Sequence, residues 1–242
     1  MSSNPMLNPK VMENVILDSK PMTIQGAINK TLILLAIVVA SGAYTWNLLL
    51  NGFLDKANLF MIGAVIASLI LGFVTIFNPK VAKITAPVYA LCEGLLLGAV
   101  SCAYNQAFNG IALNAVGITV LALFVMLFLY TTGTIKATPM FRKVILISTI
   151  AVFIFYLAGW IGQLFGHPMT VFNGSPMGIV ISAVICLVAA FNFIIDFDII
   201  EQGERNNLPD YFEWYGGFAL LVTMIWLYIE VLRLLAQLQN RD

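Results

Sequence analysis

The chain has 242 residues, of which 60% are hydrophobic and 10% charged, far from the balance of roughly half apolar and a quarter charged that soluble domains show. Twelve Lys and Arg offset twelve Asp and Glu, so no charge excess points to nucleic acid, and no basic run is dense enough to bind it. Composition therefore excludes a soluble globular domain. It leaves an all-α membrane protein, because long apolar runs satisfy their backbone in hydrocarbon as helices.

Residues 1–30 are rich in Asn, Pro and Ser and hold no apolar run, so they read as a polar tail rather than a cleaved signal peptide. Seven apolar stretches follow: Thr31–Leu50, Asn58–Phe77, Ile84–Tyr104, Ile111–Thr132, Val144–Phe165, Met177–Phe197 and Phe212–Ala236. Each is close to the ~20 residues that cross a bilayer as a helix. Residues 31–242 thus form one seven-helix membrane domain with short loops, and no separate unit is left for catalysis. Asn78-Pro79 closes the second span, Pro87 falls near the first turn of the third, Asn109-Gly110 separates the third and fourth, and Asn173-Gly174-Ser175-Pro176 introduces the sixth. In the third span Gly94 and Gly98 make a small-residue ridge that lets another helix backbone approach closely. No strong internal repeat is evident, which disfavours an inverted-repeat transporter.

Lys and Arg mark the cytoplasmic side. Nine of them, Lys10, Lys20, Lys30, Lys80, Lys83, Lys136, Arg142, Lys143 and Arg205, fall on the side of the N-terminus, and three, Lys56, Arg233 and Arg241, on the other. The N-terminus is expected in the cytoplasm and the C-terminus outside, in the inner (plasma) membrane of the cell.

Several chemistries lack their residues. His167, beside Pro168 in the loop after span five, is the single histidine, so a zinc hydrolase or an H-E-x-x-H helix has no ligand set. Neither a G-x-S-x-G turn nor a Schiff-base lysine in the last span is present. Cys92, Cys102 and Cys186 all fall within spans with no C-x-x-C spacing, and read as small apolar fillers. Neither an enzyme nor a bound cofactor is expected.

The acidic residues carry the chemistry. A carboxylate at bilayer depth costs about 2.5–3.5 kcal/mol on insertion scales, so it is paired, protonated or turned toward a polar cavity. Glu93 falls about midway along the third span. Asp196 and Asp198 are placed at the end of the sixth, where Asn192 and Asp196 share one helix face and Asp198 and Glu201 another. Glu230 lies deep in the seventh, with Arg233 three residues on as a helix partner. Structural alternatives stand beside each: Asp198 and Glu201 as solvated helix ends, Glu230 as half of an interfacial ion pair, Glu93 and Asp196 as hydrogen-bonded structural carboxyls. Trp46, Trp160, Trp214 and Trp226 read as interfacial anchors or packing.

At these residues the chain resembles the Bax inhibitor family, the transmembrane Bax-inhibitor-motif proteins with bacterial YccA-like members. The resemblance rests on seven spans, A-L-C-E-G-L-L-L-G at Ala90–Gly98, I-I-D-F-D at Ile194–Asp198 and the acidic W-L-Y-I-E-V-L-R of the last span, and covers about Thr31 to Leu238. It implies a central last helix wrapped by the other six and a pH-sensitive calcium leak, with calcium as the permeant ion. It also implies two aspartates, one on each of the last two helices, that share a proton and gate the pore. Asp196 matches the first. For the second, counting back along the last span selects Thr223, whereas the local L-Y-x-acid pattern selects Glu230. Should Thr223 be the counterpart, a two-aspartate switch is broken, and Asp198 or Glu213 becomes the partner. A basic latch in span two is also missing, with Lys80 and Lys83 at its end as the available substitutes.

Two carboxyls in a low-dielectric site cannot both ionise easily and titrate as a coupled pair, which makes a proton-sensitive switch. Calcium takes six to eight oxygens, so a few carboxylates with water give transient coordination suited to passage. The expected partners are the lipid bilayer and calcium or protons. Asp196 is then the switch, Asp196 and Glu93 transient calcium ligands, and Glu230 a way-station on the far side. Two other readings remain: a non-conducting regulator that binds a membrane protease or other membrane protein through the glycine ridge and tail, and a proton-coupled transporter.

Overall fold

The computed structural model describes residues 20–166 and 175–240. Among them are seven long helices: α1 Ile24–Leu50, α2 Leu54–Phe77, α3 Ala82–Ala107, α4 Ile111–Thr131, α5 Pro139–Leu164, α6 Pro176–Arg205 and α7 Tyr211–Gln239, with a 3-10 turn over Pro79–Val81 leading into α3. All seven are long and apolar enough to cross a membrane. The chain is an integral membrane protein with an all-α bundle. His167, Pro168, Asn173, Gly174, Lys10 and Arg241 lie outside the described residues.

Three helices exceed the spans read from hydropathy by five residues or more at one end. α1 starts seven residues before Thr31, because the Thr23 side chain accepts from Gly26 N at 2.9 Å and caps it there. α5 starts at Pro139, which has no N–H to leave unsatisfied, and Thr138 Oγ1 accepts from Phe141 N at 3.2 Å. α6 runs on past Phe197 to Arg205, so Asp196 and Asp198 stand inside the helix rather than at its end. Its polar last turns are held by i,i+4 pairs, Gln202 to Asp198 at 2.9 Å and Arg205 to Glu201 at 2.5 Å. Between α3 and α4, Gly110 turns the chain at φ +81°, a conformation that costs other residues a steric penalty, and its N–H is taken by Asn105 Oδ1 at 2.9 Å.

α7 is the most enclosed of these helices, with 61% of its most apolar stretch buried against 6% for α5. Large apolar side chains such as Ile62, Leu69, Phe73, Phe128 and Phe153 are exposed, which in water would be a liability and in lipid is the expected outer surface.

The residue contacts group into two compact units. One comprises Met1–Ala99 with Asp198–Leu221. Its interior holds Ala27, Leu34, Ala86, Ala90, Phe218 and Leu221, and Tyr89 meets Phe218 edge-on with ring centres 5.0 Å apart. The glycine ridge of α3 is filled from within this unit. A Cβ at Gly94 would overlap Ser41 and the Val38 backbone, one at Gly98 would overlap the backbone of Gly42, and one at Gly42 would stand 3.1 Å from the Gly94 carbonyl. α1 and α3 thus touch backbone to backbone. Thr75 and Thr85 join α2 to α3 by a 2.7 Å hydroxyl bond, each also bonding its own helix carbonyl, to Leu71 O at 2.7 Å and Val81 O at 3.1 Å.

The second unit comprises Val100–Phe197 with Val222–Asp242. Ile111, Ala115, Ile185, Ala189, Phe193, Ile194, Leu227 and Leu232 form its interior. Polar links thread through it: Ser101 with Tyr228 at 2.6 Å, Ser182 with Gln237 at 3.0 Å, and Asn192 Nδ2 to Thr149 Oγ1 at 3.1 Å. Among the described residues no buried side-chain nitrogen or oxygen lacks a partner. Hydrocarbon offers no water to satisfy such groups, so this completeness is a condition of the fold.

Candidate functional site

Asp196 is buried, 8% exposed, on the face of α6 that meets α7. Thr223, 7% exposed, donates its hydroxyl to Asp196 Oδ2 at 2.6 Å. The ambiguity left by the sequence is thereby resolved geometrically: the α7 residue that meets Asp196 is Thr223, and the pair is a carboxyl with a hydroxyl. Among the described residues no cationic side chain pairs with Asp196 and no second carboxyl bonds to it. Asn192, one turn earlier on α6, gives its amide to Thr149 and to the Val188 carbonyl at 2.8 Å, and so ties α6 to α5 beside Asp196.

Glu230 is 1% exposed and stands seven residues after Thr223, about 10 Å along the helix and near the same face. Its partners differ entirely from those of Asp196. Oε1 accepts from Tyr156 Oη at 2.9 Å and Trp226 Nε1 at 3.2 Å, and Oε2 accepts from Tyr156 Oη at 2.8 Å and Arg233 Nη1 at 2.9 Å. Arg233 also donates to the Tyr156 hydroxyl, and its guanidinium lies 4.8 Å from the centre of that ring. The i,i+3 pairing of Glu230 with Arg233 was legible in the spacing. Trp226 was read only as an anchor or packing residue, although its spacing of four from Glu230 marks it as a helix neighbour, whereas Tyr156 was not singled out, comes from α5 and has no such signal.

In the other unit, Glu93 is half-buried on α3, with the hydroxyls of Ser68 and Tyr89 beside it. It thus has three oxygen-bearing side chains together, from α2 and α3, which sequence spacing alone did not reveal. Asp198 accepts from Gln202 and Glu201 pairs with Arg205, both at the polar end of α6. Glu213 accepts from Thr23 N and Thr23 Oγ1, each at 3.0 Å. Cys92 and Cys102 are buried and Cys186 half-buried, and all three are free thiols. No group of three or more His, Cys, Asp or Glu among the described residues converges to hold a metal ion.

A family model described as Bax inhibitor 1 like matches residues 4–240. No curated protein and no solved structure matches the chain.

Proposed function

This chain belongs to the Bax inhibitor 1 like family, and we propose that it is a pH-sensitive calcium leak gated by protonation of membrane carboxyls. The observation that carries this reading is Asp196, buried in a helix of the membrane bundle against a single hydroxyl and without a cation. Gaining or losing one proton there changes the local charge by a full unit, with no ionic neighbour to offset it.

The Thr223 contact changes how such a gate works. A second carboxylate would repel an ionised Asp196 and part the helices. A hydroxyl instead gives the ionised form a charge-assisted hydrogen bond and leaves its other lone pairs to attract a hard cation. The gate so built works by one proton and by cation attraction. Glu93 with Ser68 and Tyr89 supplies a second cluster of oxygens for a passing cation or proton. Glu230, with both oxygens engaged, is assigned to holding α5 and α7 together. The nine-to-three distribution of Lys and Arg supports a cytoplasmic N-terminus in the inner membrane. The ridge that favoured a partner-binding regulator is occupied by α1, which leaves the polar tail as the feature in favour of that reading.

Calcium flux into liposomes containing the purified protein, from roughly pH 5 to pH 8 where physiological charge switches operate, tests the proposal. Wild type is expected to show pH-dependent flux, Asp196→Asn flux that no longer follows pH, and Glu230→Gln flux that still does. Equal flux from wild type and Asp196→Asn at every pH would sink it.

A further inference from the structure

α1 begins with no acidic residue in its first turn, so its leading N–H groups need acceptors from elsewhere. Two glutamates from different helices supply them. Glu204, next to the end of α6, accepts from Ile24 N at 2.9 Å. Glu213, in the first turn of α7, accepts from Thr23 N and Thr23 Oγ1. The segment just before α1 is stitched to the α6–α7 turn as well: Met22 N donates to Leu208 O at 2.7 Å, Asp210 N donates to Lys20 O at 2.9 Å, and Pro21 and Pro209 form an antiparallel bridge. Met22 is 2% exposed and packs so closely on Gly203 that a Cβ there would overlap its sulfur. Gly26 likewise leaves no room for a Cβ beside the Glu213 carboxylate. One turn on, the Lys30 ammonium lies 5.1 Å from the centre of the Trp214 ring.

We propose that residues 20–26 are an autoinhibitory clasp, which ties the end of α6 to the start of α7 through Glu204 and Glu213 and restrains the hairpin until it is released. Neither glutamate alone makes the tie. Because they approach successive amides from two helices, the segment cross-links the hairpin, and these are the helices that carry Asp196 and Thr223.

Amide hydrogen exchange on the full chain in lipid nanodiscs tests the clasp. Alanine at both Glu204 and Glu213 is expected to speed exchange roughly tenfold at Thr23 and Ile24 and across Gln202–Asp210, since bonds to charged acceptors are the strong ones. Lys20→Cys with Asp210→Cys, oxidised to a disulfide, is expected to restore slow exchange. Should the alanine variant fail to fold, the cysteine pair with both glutamates intact gives the same contrast, oxidised against reduced. Hairpin exchange that responds to neither release nor locking overturns the clasp. A flux arm alone rests on the leak reading: release is expected to raise calcium flux and locking to lower it. Altered exchange in a protein whose wild type conducts nothing refutes the leak and upholds the tie, whereas altered exchange with unchanged flux in a conducting protein refutes autoinhibition.

Discussion

Removing the cation beside Glu230 gives the sharpest energetic test of the bundle interior. Glu230 has a side chain 1% exposed, paired at 2.9 Å with Arg233, whose side chain is 25% exposed. Breaking a buried pair by deleting one partner costs about 3–5 kcal/mol, because the remaining charge is left uncompensated. Arg233→Met removes the guanidinium that lies over the Tyr156 ring but leaves Glu230 the donors Tyr156 and Trp226, so the cost falls at the low end, about 3 kcal/mol. Adding Glu230→Gln removes the orphaned charge, and replacing both partners of a buried pair is often close to neutral, so the double variant should cost only about 1 kcal/mol. Unfolding by SDS titration in mixed micelles, followed by tryptophan fluorescence, measures both. The reasoning fails if Arg233→Met costs less than about 1 kcal/mol, or if the double variant is as unstable as the single one.

Three further outcomes follow from the geometry. Gly98→Ala, whose Cβ would overlap the Gly42 backbone, should destabilise by about 1–3 kcal/mol through overpacking; Gly63→Ala, with open space around it, is the control and should change little in the same SDS titration. Thr75→Val should cost only about 0.6 kcal/mol, the average for a hydrogen bond between membrane helices, because Thr85 keeps its bond to Val81 O. Thr223→Asp should install the coupled carboxyl pair that this chain lacks, steepening the pH response of calcium flux from a one-proton toward a two-proton slope; an unchanged slope would show that flux does not depend on this contact.

Hydropathy located all seven helices because it reports the hydrocarbon, and it misplaced three ends by five residues or more because a helix does not stop where hydrocarbon does. The turns from Asp198 to Arg205 carry four charged residues and dilute the apolar signal, yet side-chain pairs four apart keep them helical. The start of α1 was lost for the same reason, since Thr23 caps a polar first turn. Within the site, what lies on one helix was readable: Glu230 with Arg233 follows from a spacing of three. What depends on helix rotation was not. Whether Thr223 or Glu230 meets Asp196, and that Tyr156 reaches Glu230 from α5, are decided by how helices pack, which no periodicity encodes. The two glutamates at the start of α1 were invisible because Ile24 is 180 positions from Glu204 and Thr23 is 190 from Glu213.

The two deep carboxyls on α6 and α7 therefore differ in kind, though each is buried and each is acidic. Glu230 is held by a guanidinium, a phenol and an indole, so no oxygen is left over for a passing cation without displacing a fixed donor. Such a group costs several contacts to disturb and makes a poor sensor and a good fastening. Asp196 has one bond, to a hydroxyl that can rotate to accept from a protonated carboxyl or donate to an ionised one. Its proton can come and go while that single contact reverses direction, so the helices need not part for the charge to change. Under the proposed leak, a gate that keeps its helices joined in both protonation states must act through the charge it presents rather than through repulsion, and that is what the Thr223 contact would contribute.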